Sequence, residues 1–247
     1  MKRFSKSLAL ALLFCSGTQL AFGAPDAATL LKESDQARGG GLPGITWEIR
    51  LVSRDGTRTD EPQRLQVKAV GESSVAETLE PARSKGGKLL QLERNMWLSR
   101  PGLSKPIPIS PRQRMSGQAS NGDIAATNYA GDYDAQLDGE ESIDNEPCYV
   151  LNLTARNKRT TYDRIRYWVA QKQRTALKAE FYSLSGKLIK TARFENANVI
   201  EHDGKKWPFV SRMTIRDALI DAETTMEYSA IKASSIAPAE FDLGQLQ

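Results

Sequence analysis

The feature that most constrains the fold is a series of short runs in which apolar and polar residues alternate. Residues 162–190, YDRIRYWVAQKQRTALKAEFYSLSGKLIK, contain three such runs separated by two short polar turns. Alternation with a period of two predicts β-strands that have one buried face, and turns this short join antiparallel neighbours. The stretch contains no residue with an evident catalytic role, so its apolar face is what requires an explanation.

The same alternation continues along most of the chain, and the third run of the opening stretch extends as LIKTARFENANVIEHDG. Other runs, separated by Gly, Pro, Asn or Asp, are ITWEIRLVS, RLQVKAV, SSVAETLE, KLLQLERNMWLSR, CYVLNLTA, KKWPFVSRMTIRD and AETTMEYSAIKA. Because no helical crossover separates these runs, neighbouring strands are expected to pair antiparallel. The sequence therefore predicts a single, mainly β domain with a strongly bent sheet of ten or so strands.

Two segments depart from the alternation. Residues 25–38, PDAATLLKESDQAR, place their apolar side chains on one face of a short helix that ends at three glycines. Residues 100–135 contain four prolines, which exclude a central strand, and then show helix-like apolar spacing after Asn121. We predict that residues 100–135 form a lid-like insertion with one or two helical turns on one side of the sheet.

Residues 1–23 have the pattern of a secretory signal peptide, because three cations precede an apolar run and a small-residue cleavage site. We predict cleavage after Gly23, a mature domain of residues 24–247 and a periplasmic location. Lipid attachment at Cys15 is the alternative, although Phe14 occupies the position where such a site has a small residue.

Charge and composition argue against several classes of function. The chain has 34 Lys and Arg against 30 Asp and Glu, but the predicted signal peptide holds three cations and no acid, which leaves 31 against 30, or +1. A nearly neutral chain with interspersed signs predicts no nucleic-acid partner. After residue 23 no apolar run approaches the roughly 20 residues that span a bilayer, so we predict no stable membrane insertion. Cys148 alone remains, which predicts no internal disulfide.

The chain offers few residues for catalysis. His202 is the only histidine, and a turn residue is a simpler interpretation of it than a general base paired with Glu201 or Asp203. Cys148 is interpreted as a small buried residue instead of a reactive thiol. The acidic candidates, interpreted as solvated turn residues, are Asp132, Asp134, Glu140 and Glu141. Nucleotide and nucleophile motifs are absent, so the sequence predicts no enzymatic activity, no cofactor and no metal site.

The apolar positions of the runs allow two interpretations. They fill one core, or a bent sheet with few helices encloses a cavity in which flexible methionines suit acyl chains. On the second interpretation the cavity-lining candidates are Trp47, Ile49, Leu51, Leu65, Val67, Met96, Leu98, Met115, Ile165, Tyr167, Val169, Phe181, Phe209 and Met213.

Arginines near the ends of the predicted insertion are candidates for the cavity mouth and the lid. They are Arg94, Arg100, Arg112 and Arg114. They are suited to pairing with carboxylates or with a lipid head group, while the alternative is that each is a solvated surface arginine.

Several segments resemble those of a known family. They are the helix LLKESDQAR, MWLSRPG (96–102), RMSG (114–117) with residues 123–129 behind it, and the run YWVAQKQRTALKAEFYSLSGKLIK. On these segments the chain resembles the periplasmic outer-membrane lipoprotein-sorting proteins, the LolA/LolB-like superfamily, in the branch associated with transporters of the resistance-nodulation-division (RND) or MMPL type. The resemblance implies an incomplete, strongly curved antiparallel β-barrel whose open side is covered by short helices.

The resemblance also implies a function. A carrier of this kind shelters a lipoprotein acyl chain or another lipid in an apolar cavity and passes it between envelope components, with an RND/MMPL-type transporter of the inner membrane as partner. The insertion at 100–135 departs from the lipoprotein carrier itself, which leaves the cargo and the oligomeric state open. The alternative is a non-catalytic sensor or adaptor of envelope stress, for which we expect a further partner-binding module that the sequence up to Gln247 does not predict.

Overall fold

The structure is a computed structural model that describes residues 25–125 and 128–246; the predicted signal peptide lies outside the described residues. The described strands are β1 (Ile45–Asp55), β2 (Arg58–Thr59), β3 (Gln63–Val70), β4 (Ser73–Glu80), β5 (Lys88–Leu92), β6 (Asn95–Ser99), β7 (Ile107–Ile109), β8 (Arg114–Ser116), β9 (Ala119–Ser120), β10 (Tyr133–Ile143), β11 (Glu146–Ala155), β12 (Arg164–Ala170), β13 (Ala176–Tyr182), β14 (Leu188–Glu195), β15 (Asn198–His202), β16 (Lys205–Phe209), β17 (Arg212–Asp217) and β18 (Ala222–Ala233).

Helices are few and short in the described residues. Helix α1 (Ala27–Asp35) begins at Asp26, whose side chain accepts from the Thr29 N–H as an N-cap, and it continues into a wide turn over Gln36–Gly40. The other α-helical segments are α2 (Asn121–Ile124) and α3 (Tyr129–Asp132), of one turn each. Short 3₁₀ segments are Ala82–Ser84, Pro238–Phe241 and Leu243–Gln245.

One antiparallel sheet of 14 strands forms most of the molecule. Its order is β10-β11-β12-β13-β14-β17-β18-β1-β3-β4-β5-β6-β7, with β2 paired to β1. The two edge strands, β10 and β7, are not paired with each other, so the sheet is an open barrel. This confirms the predicted fold class, a mainly β chain with an incomplete antiparallel barrel and short helices.

The register of the strands places their apolar residues on one face. Ile49 of β1 lies opposite Leu65 of β3 and Tyr228 of β18, and the pattern continues through Met213 of β17 to Phe194 of β14. These side chains belong to one buried cluster, which we call the inner face of the sheet. Because side chains alternate along a strand, the residues between them form the outer face.

The outer face has its own smaller covers. Phe241 and Leu246 from the C-terminal 3₁₀ segments pack against Val75 of β4 and Leu90 of β5. Farther along the sheet, Trp168 of β12 is fully buried on the outer face. Different segments, helix α1 and the chain between β7 and β10, cover the inner face.

Several strand predictions need correction, and the runs KLLQLERNMWLSR and KKWPFVSRMTIRD each form two strands instead of one. Strand β10 (Tyr133–Ile143) lies where the sequence indicated loop and acidic turns, because most of its residues are polar or small and little apolar alternation marks it. Residues 107–109 form an edge strand instead of loop, which Pro108 tolerates because edge strands leave one backbone side unpaired. The run from residue 188 to 204 divides at Asn196, whose side-chain amide donates to the Ala176 carbonyl. As a result β15 and β16 form a separate hairpin.

Candidate functional site

The inner face is a continuous apolar wall that contains the predicted cavity residues. Twelve of the fourteen belong to its buried cluster: Trp47, Ile49, Leu51, Leu65, Val67, Met96, Ile165, Tyr167, Val169, Phe181, Phe209 and Met213. Met115 packs against this cluster, and Leu98 is half-buried and pairs with the clustered Leu89. The structure thus gathers all fourteen on one side of the sheet, and their contact with a ligand stays a prediction.

A single stretch of chain crosses this wall from β7 to β10. We call residues 110–125 and 128–132 the crossing segment; it contains β8, β9, α2 and α3 and adds no strand to the main sheet. Its apolar residues Ala119, Ile124 and Tyr129 join the buried cluster. The predicted insertion at 100–135 therefore contains, at its centre, a segment that covers the inner face.

Small polar residues seat the crossing segment on strands β1 and β18. The Gln118 N–H donates to Thr224 Oγ1 at 2.7 Å, and Ser116 Oγ lies 3.4 Å from Ser53 Oγ. Between them Gly117 has φ +50° and approaches Ser53 and Thr224 so closely that a Cβ would clash with both side chains. Only glycine fits this position without strain.

A buried lysine on the inner face holds the middle of the crossing segment. Lys190 of β14 donates from Nζ to the Gln118 carbonyl at 2.6 Å and to Ser120 Oγ at 2.9 Å. Burial lowers the pKa of Lys190, and the nearby Asp123 opposes that shift. Asp123 accepts a hydrogen bond from the Tyr162 hydroxyl at 2.8 Å, and burial raises the pKa of the Asp123 carboxyl. The apolar interior thus contains a compact polar cluster.

Side chains tie two turns of the β3–β6 part of the sheet to α3, which leads directly into the edge strand β10. Arg94, in the turn between β5 and β6, donates from Nε to Asp132 Oδ1 at 2.6 Å and from Nη2 to the Gly131 carbonyl at 2.8 Å. Asn128 Nδ2 donates to Glu72 Oε1 at 2.6 Å across the same gap. The predicted mouth residue Arg94 therefore lies at the seam between the two halves of the sheet.

Helix α1 completes the cover beside α3. Asp35 Oδ2 accepts from the Ala130 N–H at 2.7 Å, and burial raises the pKa of the Asp35 carboxyl to about 6, against the opposing effects of that bond and of Arg38. The Arg38 guanidinium lies 6.0 Å from the ring centroid of Tyr129 and 5.8 Å from that of Phe194. The open side of the barrel is thus covered by helix α1 and by the crossing segment, which adds no strand to the main sheet.

Spaces of different size lie beside the inner face. A small cavity of about 80 Å³ lies next to the wide turn after α1 and is lined by Trp47 and Tyr228, among others. A groove of about 490 Å³, the β4–β7 groove, opens between these strands and the crossing segment, with Leu89, Leu98 and Met115 in its lining. Pockets for small ligands have roughly 300–1,000 Å³. The groove has this size, whereas the small cavity does not.

The other predicted mouth arginines differ in their surroundings. Arg112 Nη1 lies 2.8 Å from Asp163 Oδ1, and Arg114 Nη2 lies 3.2 Å from Asp217 Oδ2. Arg100 is exposed and lines the β4–β7 groove. The arginines are thus spread between the seam, the crossing segment and the groove, and they do not form a single cluster.

The residues considered for catalysis are scattered. His202 Nε2 lies 3.4 Å from Asp203 Oδ2 in the β15–β16 hairpin, and Glu141 accepts from Arg166 and from the Trp168 indole. Within residues 25–125 and 128–246, no group of three or more His, Cys, Asp or Glu is placed to hold a metal ion. None of the helices in this part of the chain has the length and apolarity needed to cross a membrane.

Comparison with known proteins places the chain in a family. A family model described as an uncharacterized protein matches residues 71–247. A crystal structure of a LolA superfamily protein from Nitrosomonas europaea is 34% identical, covers 89% of this chain and 98% of its own, and superimposes with a TM-score of 0.80. The chain belongs to the LolA superfamily. No curated protein matches it.

Two further structures share the fold of this LolA superfamily chain. A DUF1329 family protein from Desulfovibrio piger is 23% identical, with a TM-score of 0.77 and coverage of 89% of this chain and 97% of its own. An outer membrane lipoprotein-sorting protein domain from Vibrio parahaemolyticus is 17% identical, with the same TM-score and the same coverage. Both indicate that the open barrel is retained at low sequence identity.

Sequence reasoning missed the polar groups of the interior. Asp35, Arg38, Asp123 and Lys190 received no role, although Lys190 stands at an inward position of the run that also turns Ala192 inward. A lysine at an apolar position of an alternating run is a usable signal of a buried cation. Asp35 lies four residues after Leu31 on the buried face of α1, so the helical period was a usable signal there as well. Arg38 lies in the turn after α1 and Asp123 in the one-turn helix α2, where no period marks a buried polar residue.

Proposed function

We propose that the protein is a non-catalytic periplasmic carrier that takes the acyl chain of a lipid or lipoprotein against the inner face of its open barrel. The observation that carries this proposal is that the apolar wall is covered by a segment that adds no strand to the main sheet. Such a cover can leave without breaking a strand ladder. Membership of the LolA superfamily and the lipoprotein-sorting description of one neighbour support the same function.

Loading requires the crossing segment to move away from the wall. Burial of one methylene is worth about 0.8 kcal/mol, so a chain of about twelve methylenes gains roughly 10 kcal/mol by leaving water. That gain is large enough to offset the lost contacts of Ile124 and Tyr129 with the wall and the hydrogen bonds of Lys190. Delivery follows when an acceptor binds the acyl chain more tightly, because a carrier that binds too tightly does not release.

The buried indole of Trp47 fits an acyl ester. Its Nε1 has no hydrogen-bond acceptor within the described residues, and Trp47 lines the small interior cavity. A buried donor without an acceptor is costly, and an ester carbonyl supplies the acceptor that the protein does not. The ester end of a bound chain therefore has a chemically suitable neighbour beside α1.

Partner and location complete the proposal. The predicted signal peptide sends the mature chain to the periplasm, and a transporter of the RND or MMPL type in the inner membrane is the proposed source or acceptor of the cargo. The location rests on the predicted signal peptide and the transporter on the sequence resemblance, and neither needs a catalytic group.

The test is to purify the mature protein from the periplasm of its own organism, measure its mass under native conditions, and extract and identify any bound molecule. We expect an acylated molecule close to a one-to-one ratio. A protein that is empty and stays empty when offered phospholipids and acylated peptides contradicts the carrier function. It would support the sensor or adaptor role instead.

A further inference from the structure

The β4–β7 groove combines an apolar floor with an open mouth. Leu89 of β5, Leu98 of β6 and Ile109 of β7 share the inner face, and Met115 of the crossing segment faces them across the groove. At the mouth Ile107 is 45% exposed, although it occupies an inward position of β7. An inward isoleucine that is half in solvent marks a place where the sheet leaves its apolar face uncovered.

Cations surround this groove. Among the described residues, its lining contains the cations Arg83, Lys88, Arg100 and Arg114 and no Asp or Glu. Three arginines line the groove itself: Arg83, Arg100 and Arg114. A guanidinium binds phosphate through parallel N–H donors and stays positively charged at any physiological pH.

The three arginines are not equally committed to partners within the protein. Arg83 pairs with Glu61, and Arg114 pairs with Asp217 at 3.2 Å; both arginines keep about half or more of their side chains exposed, at 71% and 56%. Arg100, between β6 and Pro101, is exposed. The exposed Arg83–Glu61 pair contributes little to stability, so Arg83 can turn to a ligand at small cost. The partner of Arg114, Asp217, is only 10% exposed, so a ligand has to compete with it for that arginine.

A second cleft shows that size alone does not define the site. It also has about 490 Å³ and lies at the turn between β10 and β11, but its lining contains Asp144, Glu146 and Glu195 against a single arginine, Arg193. Its carboxylates repel an anion. The molecule therefore offers two spaces of equal volume, and cations predominate only in the one that continues into the apolar inner face.

We propose that the β4–β7 groove is the entry site for an acyl lipid with a net negative phosphate head group, whose phosphate binds Arg83, Arg100 and Arg114 while its chain lies on Leu89 and Leu98. This rests on the proposed carrier function and specifies its cargo. Met115 and Asn121 of the crossing segment line the groove, so a chain that enters here reaches the inner face when that segment moves.

The experiment compares three probes on the mature protein after removal of bound lipid. Palmitoyl lysophosphatidylglycerol carries a net negative head group, palmitoyl lysophosphatidylcholine carries the same chain with no net charge, and glycerol phosphate carries no chain. We expect the anionic lipid to bind about tenfold more tightly than the zwitterionic one, with a preference that shrinks as salt is raised. Glycerol phosphate is expected to bind far more weakly than either lipid.

Variants locate the preference. The triple variant Arg83→Gln, Arg100→Gln, Arg114→Gln is expected to bring the two lipids to within about twofold of each other and to leave the affinity for the zwitterionic lipid unchanged. Arg100→Gln alone, at an exposed position, is expected to remove part of the preference without affecting folding. The matched control is Arg193→Gln, which removes an exposed, ion-paired arginine from the second cleft.

The outcomes separate this inference from the carrier function. Equal binding of the two lipids by the unaltered protein, or a preference that survives the triple variant, overturns the head-group site and leaves the carrier function standing. Glycerol phosphate binding as tightly as the anionic lipid also overturns it, because the groove is then a simple anion site. If neither lipid binds, the carrier function fails as well.

Discussion

The two ends of the same sheet use one sequence pattern to different effect. In strands β10–β14 the inner face is closed: Leu151, Ile165 and Phe181 are exposed by 1% or less. In strands β4–β7 the alternation is the same, but Leu98 is half-buried and Ile107 is 45% exposed. The edge strands also differ in length, since β10 has 11 residues and β7 has 3. One end is a filled core, and the other leaves apolar surface available.

The segments that lie over the inner face therefore determine whether its apolar residues form a packed core or an accessible surface. At the closed end Tyr162 stacks on Phe181 with ring centroids 3.9 Å apart, and Tyr129 meets Tyr167 edge to face at 5.5 Å. Aromatic rings of the covering segments thus fill that end. At the open end no comparable ring is present among the described lining residues of the β4–β7 groove, and aliphatic side chains face solvent.

The largest effect is expected from replacing one buried side chain by alanine at each end of the sheet. Phe181→Ala at the closed end should lower the free energy of unfolding by about 3–5 kcal/mol, because the ring leaves a cavity in a packed core. Leu98→Ala at the open end should cost only about 1 kcal/mol, because the side chain is already partly solvated. Urea unfolding of both variants measures the difference, and equal losses would contradict the contrast between the ends.

A somewhat smaller loss is expected from Lys190→Met, which keeps the length of the side chain and removes its charge. Gln118 and Ser120 then lose a buried donor and Asp123 loses a neighbouring cation, for a cost of about 2–3 kcal/mol. In this variant the backbone amides of residues 113–123 should exchange hydrogen faster than in wild type, while those of β12 should exchange at an unchanged rate. The control is Lys178→Met, which removes a partly exposed lysine from the outer face. Unchanged exchange at 113–123 would show that Lys190 does not hold the crossing segment.

A pH-dependent effect of roughly 2 kcal/mol is expected at Asp35. Its folded pKa of about 6 lies above the ordinary value near 3.9, so folding favours the protonated carboxyl. The stabilisation is therefore complete below about pH 4 and is lost as pH rises through 6, which makes wild-type stability fall mainly between about pH 4 and 6.

Asp35→Asn removes this titration while keeping an acceptor for the Ala130 N–H. The difference in unfolding free energy between wild type and variant, measured by urea unfolding from pH 4 to 8, should turn in favour of the variant as pH rises through 6. Subtracting the two curves removes the contribution of Asp123, whose carboxyl shifts in the same direction. A difference that is constant with pH would show that Asp35 does not titrate in this range.

The smallest effect is expected at the seam between the two ends. Arg94→Gln removes a partly exposed ion pair with Asp132 and should cost about 0.5–1 kcal/mol. It should also speed hydrogen exchange in α3 while leaving β12 unchanged. A loss as large as that of Phe181→Ala would mean that the seam, and not the packed end, holds the barrel together.

The sequence was sufficient to predict strands β12 and β13 of the closed end. The runs DRIRYWVA and ALKAEFYS correspond to β12 and β13, because alternation at half-buried positions and short turns leave little choice of structure. It was insufficient for β10, whose polar outer residues Glu141 and Asp138 are matched to Arg166 across the sheet. That compensation is a long-range contact, and no local pattern contains it.

For the candidate site, the sequence identified the apolar residues of the inner face but did not decide whether they bind a ligand. Alternation marks which residues face inward, but it does not show that Ile107 stays half in solvent while Phe181 is sealed. The covers decide this, and their seating depends on Gly117 and Lys190, which contact strands far away in the sequence. The sequence alone could therefore not show which of the inward residues are packed in a core and which are accessible to a ligand.

The most direct test of the account is to fasten the crossing segment to the wall. Ser53 Oγ and Ser116 Oγ lie 3.4 Å apart, which suits a disulfide in Ser53→Cys, Ser116→Cys, while Cys148 is buried away from solvent. Binding of palmitoyl lysophosphatidylglycerol is compared between the oxidised and reduced forms, with the two single variants as controls. Oxidation is expected to weaken binding about tenfold or more, and reduction is expected to restore it. Equal binding by both forms would contradict the claim that the crossing segment must move for the acyl chain to enter.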